Sequence, residues 1–167
     1  MALRNILTQE DPSLGKKCRE VTAFNQRLHQ LLDDMAETLM HADGVGLAAP
    51  QVGVLRRAAL VLETNVPENE NPILIELINP VVIEASGEQH EAEGCLSVPG
   101  KVAEVTRPDY VLVRSLDMDM NPVTYEGQGL RARAILHEMD HLEGVLYGER
   151  ANEPYRDLED EDLEEEE

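Results

Sequence analysis

The 167-residue sequence predicts a single α+β domain: an N-terminal helix, a set of antiparallel and mixed strands, and a C-terminal helix packed against the sheet. Three observations predict it. Leu28, Leu31, Leu32, Met35 and Leu39 recur at helical spacing, short β-branched runs set between Pro and Gly breakers fill the middle, and Leu130, Ala134, His137 and His141 line one face of a second helical segment. No helix-length segment separates the middle runs, so the crossovers that a parallel, doubly wound sheet requires have nothing to be built from.

The first helix starts behind Asn25, a capping residue, and is expected to end near Asp43, because Gly44, Gly46, Pro50 and Gly53 follow. The stretch from Gly44 to Gly53 therefore reads as a loop or an edge strand. Strands are expected over 55–63, 73–78, 81–85, 102–105 and 110–116, with Asp119, Asn121 and Pro122 turning the chain so that 123–125 pairs back on the Tyr110 strand. The second helix runs over 130–143 and stops at Gly144.

Apolar residues make up 42% of the chain but aromatic ones only 3%, so aliphatic side chains must fill the core. Fourteen Lys and Arg against thirty-four Asp and Glu give a net charge of −20, which argues against binding nucleic acid or an anionic membrane surface. Nine of those acids fall in residues 157–167, dividing the chain into a catalytic domain over 1–156 and an acidic tail over 157–167. No apolar run approaches the ~20 residues of a membrane-spanning helix, and the start carries no apolar leader segment. With only Cys18 and Cys95, a disulfide framework is absent, and a reducing, cytoplasmic setting is expected.

The sharpest chemical signal is His137-Glu138-Met139-Asp140-His141. On a helix, histidines four residues apart stand on one face and can share a metal ion, with the intervening Glu beside the ion as a base. Two imidazoles leave a third protein ligand to be found. A zinc endopeptidase would recruit Glu161 from the acidic tail; a metzincin would need a histidine where this chain has Tyr147. Cys95, in Glu93-Gly94-Cys95-Leu96-Ser97, is the remaining candidate, because a metal-bound thiol is a thiolate and Gly94 permits close backbone approach. Gly44, Gly46 and Ala49 loosely fit a dinucleotide fingerprint, with Glu63 near the expected acid, but they follow a helix and meet Pro50. Those glycines read better as space for a substrate backbone, with Gln51 as a neutral hydrogen-bond donor. Cys18, His29, His41 and His90 lack partners at motif spacing and read as structural or surface residues.

Taken together, GVGLAAPQ (44–51), EGCLS (93–97) and HEMDHL (137–142) resemble the three signature segments of the peptide deformylases, and the resemblance runs from the first helix to Leu146. It implies that Cys95, His137 and His141 bind one divalent metal ion, Fe2+ in vivo with Zn2+ or another divalent ion as alternatives. It further implies that Glu138 acts as acid and base, and that Gln51 and the backbone N–H of Leu96 polarise a formyl carbonyl. The substrate implied is the N-formyl-methionyl end of a nascent polypeptide, lying as an added strand against Val45, Gly46 and Gly94 and releasing formate. Leu130, Arg133 and Ala134, on the helix face before His137, are placed to line the methionine pocket, with the Arg133 head in solvent. The same resemblance pairs Glu93 with Arg107, and Asp140 is a candidate to orient a ligand. Two departures stand out: Lys101 and Val102 occupy a place where some relatives carry Arg, and the anionic tail is unlike a basic helix suited to a ribosome surface. Ribosome proximity is thus expected to be transient. A non-enzymatic acidic binding protein is the reading furthest from this one, and the joint presence of Glu138, Gln51 and Cys95 disfavours it.

Overall fold

A computed structural model describes residues 2–63 and 73–158. Its two helices are α1 (Gln26–Ala42) and α2 (Leu130–Leu142). Its strands are β1 (Gly46–Ala48), β2 (Ala58–Leu62), β3 (Leu74–Ser86), β4 (Gln89–Cys95), β5 (Val98–Arg107), β6 (Tyr110–Leu116), β7 (Pro122–Gln128) and β8 (Arg156–Asp157). They form a five-stranded sheet in the order β1-β2-β3-β6-β7 and a three-stranded sheet in the order β4-β5-β8. Every strand ladder is antiparallel, and among the described residues parallel pairing is confined to an isolated bridge between Arg19 and Arg56. None of the described helices is long and apolar enough to cross a membrane.

Side-chain alternation explains the layering. Along β2, Ala58 and Leu60 face a core shared with Leu28, Leu31, Leu32, Met35 and Leu39 of α1, whereas Ala59 and Val61 face Ala132, Ala134, Ile135 and Leu142 of α2. Leu47 and Ala48 of β1 divide in the same way. The large sheet is thus covered by a helix on each face, and β2 is apolar throughout because both its faces are buried. A third cluster, Val98, Ala103, Val105 and Tyr147, sits under the small sheet beside Cys95.

Asn25 caps α1 as expected, its Oδ1 accepting from the Leu28 N–H at 3.2 Å. The helix ends on Asp43, which itself takes the left-handed conformation (φ 57°) in place of a glycine. At the end of α2, Gly144 (φ 76°) does need to be glycine, since a Cβ there would lie 2.7 Å from the backbone of Gly15.

Two expectations are corrected. The runs over 73–78 and 81–85 are one strand, β3, which passes through Pro80 by means of register shifts at Ile78/Val81 and Val82/Glu84. Between them Asn79 adopts φ 49°, held by bonds to both the N–H (2.8 Å) and the C=O (2.9 Å) of Val21. Strand β4 is absent from the sequence reading because its single buried residue is the charged Glu93, so no apolar alternation marks it. Arg156 and Asp157, on either side of the expected domain boundary, form β8, and Glu161 lies outside the described residues.

Replacing Asn79 with Ala removes two hydrogen bonds and leaves a Cβ residue in the left-handed region. We expect a loss of about 2 kcal/mol in urea unfolding, with Asn79→Gly retaining the conformation but not the bonds and recovering only part of it.

Candidate active site

Each element contributes its functional side chain at an end or a turn. Strand β1 runs along the edge of the large sheet and leads into a 3-10 turn, Ala49–Val52, that carries Gln51. Strands β4 and β5 form a hairpin closed by the Cys95–Val98 pair, which puts Cys95 and Leu96 at its tip. Helix α2 supplies His137, Glu138 and His141, all buried. These pieces meet at a pocket of about 540 Å³ whose lining includes Gln51, Cys95, Leu96, His137 and Glu138. His141 lies behind, with its Nε2 3.4 Å from the Cys95 sulphur.

The orientation of the Gln51 amide follows from its partners. Its Oε1 accepts from the Ala48 N–H at 2.9 Å, so Nε2 is the atom that faces Ser97 Oγ at 3.0 Å and Cys95 Sγ at 3.7 Å. A neutral donor is thereby fixed beside the thiol. Ser97, which holds it there, was not singled out by sequence reasoning; its presence in the motif with Cys95 was the available signal.

The glycines of the first motif are also required by the protein's own packing. A Cβ at Gly46 would lie 2.5 Å from Glu138 Oε2, and one at Gly44 would lie 2.8 Å from Leu96 Cδ1. Part of the space at these glycines is thus taken by the Glu138 carboxylate and the cysteine hairpin, and both glycines also line the pocket. Val45, between them, is exposed and lines the pocket with Gly94, Leu130 and Ala134.

Behind the metal-ligand candidates lies Glu93, 6% exposed. Its Oε2 accepts from Arg107 Nε at 2.8 Å and from Arg133 Nη1 at 2.6 Å, while its Oε1 accepts from Arg107 Nη2 at 2.6 Å and from His137 Nδ1. Burial opposes its ionisation, but hydrogen bonds from Arg107 and His137 outweigh that and hold the carboxyl at about 2. Because Glu93 is an acceptor, His137 carries a proton on Nδ1, which leaves Nε2 as the nitrogen that would bind an ion. The expected Glu93–Arg107 pair is therefore present. The expected solvated head of Arg133 is not: the guanidinium is 4% exposed and also donates to Gln89 Oε1 (3.1 Å) and the Val105 carbonyl (2.8 Å). Its charge has an anion to pair with inside, so it has no reason to seek water. Asp140 accepts from Arg107 at 2.9 Å and from Arg150 at 2.6 Å, extending the chain of charges outward.

Glu138 is pushed up to about 7, chiefly by burial, which nearby His137 only partly offsets, and its Oε1 has no hydrogen-bond partner among the described residues. A buried carboxyl poised near neutrality with an open oxygen is equipped to take and return a proton. Burial and the charges of His137 and Arg107 keep His141 neutral, at about 3. Burial also disfavours a charge on His137, but Glu138, Cys95 and Glu93 outweigh it and raise its pKa well above the usual imidazole value. One ligand atom from each of Cys95, His137 and His141 lies within 4.8 Å of the others, and one sulphur with two imidazole nitrogens is a donor set suited to zinc or ferrous iron.

The chain matches the family model for polypeptide deformylase over residues 3–157. It is 50% identical over 165 residues to the peptide deformylase of Agathobacter rectalis, covering 99% of this chain and 100% of that protein. Peptide deformylase 1 of Bacillus subtilis is 43% identical over 164 residues, with 98% and 99% covered. Among solved structures, a peptide deformylase from Legionella pneumophila is similar with a TM-score of 0.83 and 37% identity, over 90% of this chain and 86% of that one.

Because the Glu93 carboxyl is depressed in the folded state, its contribution to stability is complete above its ordinary value of 4.5 and is lost as pH falls toward about 2. In metal-free protein, urea unfolding measured between pH 2 and 5 should show this acid limb, and Glu93→Gln should flatten it.

Proposed function

The chain belongs to the polypeptide deformylase family and is a peptide deformylase, removing the N-formyl group from nascent peptides, and from that premise we propose how its residues divide the work. Cys95, His137 and His141 hold one divalent ion, Fe2+ by family resemblance, with Zn2+ compatible with the same donors. Bound there, the ion supplies a Lewis acid that makes water nucleophilic near neutral pH.

The remaining chemistry belongs to side chains. Glu138, through the open Oε1, accepts the proton released as water attacks the formyl carbon and delivers it to the departing amine, so that formate and a free N-terminus leave together. Gln51 Nε2 and the Leu96 N–H donate to the oxygen on which negative charge develops, and the Ala48 bond to Oε1 keeps the amide aimed that way. Leu130 and Ala134 form the methionine wall, with the stem of Arg133 beside them and its head turned back to Glu93. The peptide extends along β1, at the open edge of its sheet, past Val45 and Gly46 and opposite Gly94. Main-chain pairing of that kind carries little side-chain information, which suits an enzyme that processes many sequences. The convergence of Gln51, Cys95, His137 and Glu138 on one pocket carries this reading. We further propose that residues 1–156 form the catalytic domain, that 157–167 is an acidic appendage, and that the protein works in the cytoplasm on chains leaving the ribosome, without holding nucleic acid itself.

Formate release from an N-formyl-methionyl tripeptide, measured under anaerobic conditions with metal-loaded protein, tests the assignment. Glu138→Ala is expected to lower kcat by about 10²- to 10⁴-fold, and Gln51→Ala by about 10²- to 10³-fold. An unformylated peptide should remain intact. Cleavage of its internal bonds by the same preparation would instead establish an endopeptidase.

A further inference from the structure

A second pocket, of about 660 Å³, lies between the first turns of α1, residues 21–23 and the loop over 53–56, and it shares no lining residue with the active-site pocket. Its walls combine two chemistries. Val21, Leu28 and Leu31 are buried and Val54 and Leu55 half-buried, giving an apolar floor. The charged residues of the lining are Arg4, Arg27 and Arg56, with no carboxylate among them.

This composition runs against the rest of the chain. Residues 1–57 hold seven Lys and Arg and seven Asp and Glu, so the whole net charge of −20 resides in 58–167. The arginines are also unequally engaged. Arg4 is tied to Asp34 at 2.9 Å, and Arg56 spends one N–H on the Leu55 carbonyl at 3.1 Å. Arg27 has neither an ion pair nor a hydrogen bond among the described residues. Asp34 offsets Arg4 and is further held by Gln30 and the Ala2 N–H, Glu143 is held by Arg57 and Lys17, and Arg19 runs beside Arg56, so Arg27 and Arg56 are the arginines of the lining without an ion pair among the described residues. Asn25 already caps the first turn of α1, so the guanidinium groups, not the helix end, supply the attraction.

We propose that this pocket binds an amphipathic anion, its carboxylate or phosphate head between Arg27 and Arg56 and its aliphatic body on Leu28, Leu31 and Val54. Guanidinium forks match either head, and a cleft that sets polar and basic groups around an apolar floor offers contacts to both parts of such a molecule.

Decanoate and decyl phosphate serve as probes, with decanol and decyltrimethylammonium as neutral and cationic counterparts. Binding to the metal-loaded enzyme is followed by NMR through the methyl resonances of Leu28, Leu31 and Val54, which separates this pocket from the active site. Both anions are expected to shift those methyls saturably, the counterparts not at all, and the tighter anion identifies the head group. Arg27→Gln with Arg56→Gln should weaken binding at least tenfold while formate release stays unchanged. No saturable shift with either anion, equal shifts with decanol, or unchanged affinity in the double variant would overturn the proposal.

Discussion

A single buried carboxylate organises the site. Glu93 reaches across from β4 to Arg107 on β5 and to Arg133 and His137 on α2, and both its oxygens are fully used. Each of these groups would be costly to bury alone, because an ion removed from water loses several kcal/mol of solvation. Together they neutralise one another, and the geometry that does so fixes the tautomer and direction of His137. The cysteine hairpin and the histidine helix are thus held in register by charge, while apolar packing holds the helix to the sheet. Arg107 then passes the constraint to Asp140 and so to half-exposed Arg150 at the surface.

The parts of this molecule that obey local rules were legible in the sequence. Asn25 and the Leu28–Leu39 spacing announced α1, and the two histidines four apart announced both a helix and its chemistry. The three motifs converge as the family resemblance implied, around one pocket. What escaped depends on partners distant in the chain. Strand β4 turns a carboxylate inward, so its only buried position looks like a surface residue until Arg107 and Arg133 are in place. The same pairing reversed the expected direction of the Arg133 head. Pro80 looked like a strand terminus because the register shifts that accommodate it are a property of the β3–β6 pair, not of the β3 sequence.

The large sheet separates support from chemistry. Residues of alternate parity on β1 and β2 are committed to α1 on one face and to α2 on the other, so neither strand can slip by one residue without exchanging the two cores. Gln51 follows directly from that arrangement: it sits one short turn beyond the last residue of β1, and Gly53 (φ 86°) closes the turn.

The contact between Gly46 and Glu138 ties two distant positions of the chain together. A methyl group at position 46 would occupy the space of the carboxylate, and shortening Glu138 to Asp to make room would draw that carboxylate back toward the helix. Either change alters the placement of the carboxylate, and the pair of changes does not restore the starting geometry. Residues ninety-two positions apart in the chain are therefore coupled through space, and any side chain at 46 is accommodated only by moving the carboxylate at 138.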